Sequence, residues 1–376
     1  MSNRKLAILA VVAAVMVVLA VIQARISRAP ARVSYAGGYL IQGLDAAKIA
    51  SIVVGKGENA VRLIRRGNRF AVGNKDDYPA ETSRINKLLT SCLDIRTIEL
   101  ITSAPANHES LAVTEEKAQN IVKFLDKDGQ IITGVVIGSS RLPELQMDKR
   151  STYVRLISSN DVYEGVNVPL PASSAMDYID KEIVNAGVSD VVRVTVTGPE
   201  GSYALRVDDS NEDNIVLENI EAGKKLKKGD CKQVVSALSY LSFDDVKKES
   251  SFEQEKLRFD STYVCELKDS TVYTFEIART DVKAYVKCGA EYTGETRGIL
   301  ESKEELKDKE AKLLAHDRAT AFVKRHQGWV YEIAELKAKN LTRKLAELLE
   351  EEKEEADAVK PPSASDGEEA KTEQSE

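Results

Sequence analysis

The sequence predicts an α+β protein: an N-terminal transmembrane helix followed by two tandem repeated units of antiparallel sheet with packed helices. Three observations carry that expectation. Leu6 to Ile22 is an unbroken apolar run, short apolar stretches alternate with turn residues from Ile49 onward, and a set of these elements recurs in the same order later in the chain. With 376 residues, 43% of them hydrophobic, the chain can build real cores and more than one domain.

The apolar run, LAILAVVAAVMVVLAVI, follows Arg4 and Lys5 and precedes Gln23, Ala24 and Arg25. As a helix it would extend roughly 25 Å, slightly short of a ~30 Å hydrocarbon core, a gap that snorkelling Arg and Lys can close. Ala29-Pro30-Ala31 has the look of a signal-peptide cleavage site, but Arg25 and Arg28 intervene and no lipid-accepting cysteine follows. An uncleaved anchor is therefore expected, with residues 1–28 as cytosolic tip and transmembrane helix and 29–43 as linker. Arg25, Arg28 and Arg32 outnumber Arg4 and Lys5, so a strict positive-inside count points the other way. The short amino-terminal tip, with its own terminal charge, is still the simpler part to leave inside, and the rest of the chain is expected outside.

The first α+β unit, residues 44–184, opens with a hairpin of Ile49 to Val54 and Val61 to Ile64. A helix follows, with Ile85, Leu88, Leu89 and Cys92 three and four apart. Then come a second hairpin (Asn120 to Leu125, Ile131 to Ile137), a strand at Tyr153-Val154-Arg155, and Val162-Tyr163-Glu164 ahead of a helical segment, Ala172 to Val184. The second unit, residues 185–355, repeats the series: Val191 to Val196 with Tyr203 to Val207, then a helix with Val234, Val235, Leu238 and Leu241. Asp230 and Gln233 give that helix a capping-box-like start. Thr262 to Leu267 with Val272 to Ile277, Tyr285-Val286-Lys287, and Val330-Tyr331-Glu332 ahead of a helix Ala334 to Glu355 complete it. The spacing widens before the last element, which predicts a helical insertion near residues 301–318, with Leu306, Leu313 and Leu314 at helical spacing. Residues 356–376 lack large apolar side chains and are expected to be a disordered acidic tail.

Chemistry is sparse. The net charge of -7, with Lys and Arg scattered, gives no basic face and disfavours a nucleic-acid partner. Cys92, Cys231, Cys265 and Cys288 form no CxxC pair, and Cys265 and Cys288 fall on strands roughly 9.5 Å apart in a meander, too far for a disulfide. Free, mostly buried thiols are expected. His108, His316 and His326 lie in no metal-ligand spacing, and there is no nucleophile elbow, P-loop or dinucleotide fingerprint. No catalytic, cofactor or metal residue is therefore assigned, and the protein reads as a non-enzyme without a cofactor. Asp208 to Asp213 lacks calcium-loop spacing and reads as a solvated turn. Candidate partner contacts are Arg141 and Arg150, at the two ends of the polar loop RLPELQMDKR, and Trp329, the sole tryptophan.

Several short motifs have a familiar order: Gly43-Leu44-Asp45, Tyr78-Pro79-Ala80, Ile137-Gly138, Thr152-Tyr153-Val154-Arg155, Val162-Tyr163 and Gly328-Trp329-Val330-Tyr331. With the anchor, they resemble the bacterial family called domain of unknown function 4340, over roughly residues 1–350. The resemblance implies a single-pass protein of the bacterial inner (cytoplasmic) membrane with its bulk extracytoplasmic. It further implies an accessory or scaffold role beside permease or auxiliary subunits of a gliding-motility-type ABC transporter. It brings no catalytic residues. A glycan- or solute-binding module is the alternative, and an envelope hydrolase is a weaker one. The first calls for an aromatic-lined cleft that 6% aromatic residues ill supply, the second for a convergent set of acids that no stretch of sequence supplies.

Overall fold

The computed structural model describes residues 37–141, 151–208, 211–218, 224–252, 257–294 and 303–351. Leu6 to Ile22, Arg150 and the acidic tail fall outside them. Among the described residues no helix is long and apolar enough to cross a membrane. The chain divides between Asp180 and Lys181 into two compact units, each mostly antiparallel sheet with a few helices.

Unit 1 contains β1 (Ser51–Val54), β2 (Val61–Arg66), β3 (Arg69–Val72), β4 (Tyr78–Pro79), α1 (Thr82–Leu93) and β5 (Arg96–Thr102), then β6 (Asn120–Leu125), β7 (Ile131–Arg141), β8 (Ser151–Leu156) and β9 (Val162–Val166). Its strands form one sheet in the order β4-β3-β2-β1-β6-β7-β8-β9-β5. Alternation builds it: Ile52 and Val54 of β1 are buried while Ser51 and Val53 are not. Ile85, Leu88 and Cys92 of α1 turn one stripe inward. A second small core forms where Val113 and Ala118, in the loop between β5 and β6, pack with Ile121, Val136 and Val162.

Unit 2 begins with β10 (Glu182–Val184), β11 (Val191–Gly198), β12 (Gly201–Asp208), β13 (Asn211–Leu217), β14 (Lys224–Leu226), α2 (Lys228–Val235), β15 (Leu241–Ser242) and β16 (Asp245–Lys248). It continues with β17 (Ser261–Leu267), β18 (Thr271–Arg279), β19 (Ala284–Tyr292), α3 (Lys303–His326), β20 (Trp329–Ile333), α4 (Glu335–Leu341), α5 (Leu345–Leu348) and β21 (Leu349–Glu351). Its main sheet runs β13-β12-β11-β17-β18-β19-β20-β16, the order of unit 1 without the β4 edge. Cross-strand registers correspond as well. The row Val61, Val54, Val122, Val135, Leu156 in unit 1 has the counterpart Tyr203, Val196, Tyr263, Phe275, Cys288 in unit 2.

Four local expectations are corrected. Residues 172–184 form a 3-10 turn at Ala175–Tyr178 and then β10, because Ile183 and Val184 are drawn into a short sheet with β15. Leu241 lies on β15, not on the second helix. Lys227 occupies the cap position of α2 and its side chain caps nothing; Asp230 and Gln233 both face Arg343 instead. The helix expected over 334–355 is broken into α4 and α5 and ends in β21. At the break, Tyr203 Oη donates to the Arg343 carbonyl at 2.8 Å and Lys344 is extended. The helix between β19 and β20 runs on to His326, and its buried stripe is Ala315, Ala319, Phe322 and His326, while Leu313 and Leu314 are exposed. All four cysteines are free, and Cys92, Cys231 and Cys265 are buried.

Candidate functional site: a bare edge strand and a cationic cavity

Two places stand out, one in each unit. The first is β5, the outermost strand of the unit 1 sheet. Sheets usually blunt an edge with short length, proline or lysine. The opposite edge, β4, is two residues long and ends in Pro79; the counterpart strand in unit 2, β16, reads Asp-Val-Lys-Lys. By contrast β5 is seven residues long and presents Ile98, Leu100 and Ile101 at 42%, 49% and 36% exposure, broken by the charge of Glu99 and by two shifts of register against β9. At its start it is covered: Tyr39 bridges to Arg96, the Thr97 amide donates to the Gly38 carbonyl, and the Arg96 guanidinium stacks 4.1 Å above the Tyr39 ring. From Ile98 to Thr102 the outer edge has no strand partner among the described residues. Sequence reasoning passed over this strand; the alternation Ile98, Leu100, Thr102 was its signal.

The second place is a cavity of about 480 Å³ in unit 2. It is bounded by the turn between β11 and β12, the start of β17, the end of β18 and the α4–α5 junction, Thr342 to Ala346. Arg343 is only 6% exposed; its guanidinium donates to Asp230 and, at 2.7 Å, to Gln233 Oε1. Its Nε is buried with no hydrogen-bond partner among the described residues. Tyr203 and Tyr263, from neighbouring strands, hold the helices over the sheet: Tyr203 Oη donates to the Arg343 carbonyl and Tyr263 Oη to the Val234 carbonyl, each at 2.8 Å. Burial pushes both phenols above their ordinary range, so they stay protonated donors.

The residues expected from sequence are not gathered in either place. Arg141 ends β7, its backbone opposite Ser151 of β8, and Arg150 lies outside the described residues. Trp329 opens β20 in unit 2, half-buried, opposite Lys248 of β16, whose Nζ lies 5.8 Å from the centre of its ring. Two of the sequence motifs have structural work instead. A Cβ on Gly138 would sit 2.5 Å from the Leu111 carbonyl oxygen, so only glycine lets the β5–β6 loop cross β7. Arg155 ties that loop down, donating from Nε and Nη2 to the Val113 carbonyl (3.2 and 3.0 Å) and from Nη1 to that of Ser159 (2.9 Å).

The sheet order defines an antiparallel α+β class in which one strand order occurs in both units. The chain belongs to the family described as Domain of unknown function (DUF4340), which matches residues 72–282, from the end of β3 to the turn after β18. No curated protein and no solved structure matches it.

Proposed function

We propose that this protein is a membrane-anchored extracytoplasmic accessory subunit that works by contact rather than turnover, and that its partner is a permease or auxiliary subunit of a gliding-motility-type ABC exporter. The observation that carries the reading is the bare apolar edge of β5. An extended segment of a membrane partner can add to Ile98–Thr102 as a further strand, backbone hydrogen bonds supplying affinity and Leu100 and Ile101 supplying selectivity. The proposed anchor keeps that edge close to the bilayer. The chain between Ile22 and Gly38 reaches at most about 55 Å, and Gly38 already touches β5. Tethering of this kind raises effective concentration enough for a weak contact to be occupied. The shared strand order further supports a tandem duplication in which one copy kept an open edge and the other acquired α3 and a lysine-bearing edge. A glycan-binding reading has less support, since Tyr203 is the sole aromatic residue on the cavity wall among the described residues.

The test is crosslinking in intact membranes followed by affinity purification, with Leu6 to Ile22 replaced by an unrelated anchor as control. Exporter subunits should be recovered with either anchor and lost when β5 carries Leu100→Lys. Recovery of no permease or ATPase subunit would overturn the proposal, as would a hydrolytic activity abolished by one acidic substitution.

A further inference from the structure

A single exposed apolar side chain is ordinary on a protein surface; a gathering of them is not. The four most exposed large apolar side chains among the described residues are Leu170, Tyr240, Val282 and Leu336, each at least 68% exposed. Three of them gather at one end of unit 2. Val282 sits in the turn that joins β18 to β19, closed by the Thr280 amide donating to the Lys283 carbonyl at 2.8 Å. Ala284, where β19 begins, lies opposite Ile333, where β20 ends, so this turn stands beside the start of α4. Arg279 pairs with Glu335 of that helix. Lys337 Nζ donates to the Ser239 carbonyl at 3.1 Å, which brings in the turn that holds Tyr240. Leu336 lies between these two ties, on the helix face opposite the buried Ala338 and Leu341. Lys339, three residues on, is exposed on the same side, and neither it nor Lys337 has a carboxylate partner among the described residues.

We propose that this end of unit 2 docks on the surface of a phospholipid bilayer, with Tyr240, Val282 and Leu336 entering the headgroup region. All three occupy convex positions, two turns and the outward side of a helix. A protein partner would need a pit for each, whereas lipid deforms around whatever enters it. Tyrosine favours the membrane interface, and lysines beside an apolar tip extend to the lipid phosphates. An anionic leaflet attracts them further. The proposed anchor, Leu6 to Ile22, keeps the bilayer within reach, so even three side chains can hold the contact. The inference rests on that anchor and stands apart from the β5 contact.

The experiment uses the full chain in nanodiscs of phosphatidylcholine and phosphatidylglycerol whose lipids carry a nitroxide on the upper acyl chain. An environment-sensitive fluorophore is attached at Val282→Cys or Leu336→Cys, with Cys288, the cysteine that is not fully buried, changed by Cys288→Ser. Leu314→Cys is the control: it is exposed on α3, whose Arg318 pairs with Asp269 in the turn at the other end of β18. Both tip probes should shift to the blue and be quenched several-fold more than the Leu314 probe. Leu336→Asp and Lys339→Glu, each at an exposed site, should lower the quenching of the Val282 probe. Co-elution with the nanodiscs but no quenching above the control would overturn the inference and leave the anchor standing; a blue shift without quenching would assign the tip to a second copy of the chain instead. A chain that does not co-elute with the nanodiscs would overturn the anchor and this inference with it.

Discussion

Gly138 and Arg155 act on the same loop, one by making room and the other by holding it. Replacing Gly138 by Ala forces a Cβ against the Leu111 carbonyl, a backbone atom that also accepts from the Ser139 amide at 3.1 Å and cannot give way cheaply. Overpacking of this kind costs about 1–3 kcal/mol. Urea unfolding of Gly138→Ala should show that loss, and an unchanged midpoint would refute the close approach. Both residues were visible in the sequence as motif positions, but their purpose was not, because their partners Leu111 and Val113 lie far off along the chain. The thiols make a second prediction. Burial pushes Cys92 and Cys265 from 9.0 up to about 12. The unfolded chain therefore loses these protons first as pH rises. Stability is complete below about pH 9 and declines through the window up to about 12. Unfolding midpoints at about pH 8 and about pH 10.5 should differ, and the difference should shrink in Cys92→Ala. Equal dependence on pH in the variant would contradict the assignment.

Helices and strands differ in how much of them the sequence disclosed. The paired hairpins were legible because alternation within a strand and its turn is local: Asp126 Oδ1 accepts from the amides of Asp128 and Gln130, and Gly129 takes φ 76°. The helix ends were not, since tertiary bonds overrode local propensity at Val184 and Arg343. Nor was the inward face of α3, where adjacent Leu313 and Leu314 drew attention from a stripe of smaller residues. That stripe ends on an aromatic cluster in which Phe322 meets Tyr273 edge-on at 5.0 Å and His326 Nδ1 lies 2.7 Å from Tyr331 Oη. Phe322→Ala should cost about 3–5 kcal/mol by leaving a cavity under the helix, whereas Leu314→Ala, on the exposed side, should stay within about 0.5 kcal/mol. Similar losses in thermal unfolding for the two would show that the helix packs on another face.

At the scale of the molecule, one strand order serves two ends. In unit 2 the rim of the sheet is charged, and its aromatic row sends hydroxyls into the helices that frame a cavity. In unit 1 the corresponding row is aliphatic and the sheet ends in the bare edge of β5. The recurrence of elements could be read from the sequence because they follow in the same order, whereas the difference between the units lies in which edges are left open, a property of pairing. The open edge of β5 is the proposed working surface. A photoreactive side chain placed at Leu100, and another at Lys247 on the equivalent strand β16, decide it in intact membranes. Crosslinks to a membrane protein are expected from Leu100 and none from Lys247; equal capture from both, or none from Leu100, would contradict a role for the β5 edge.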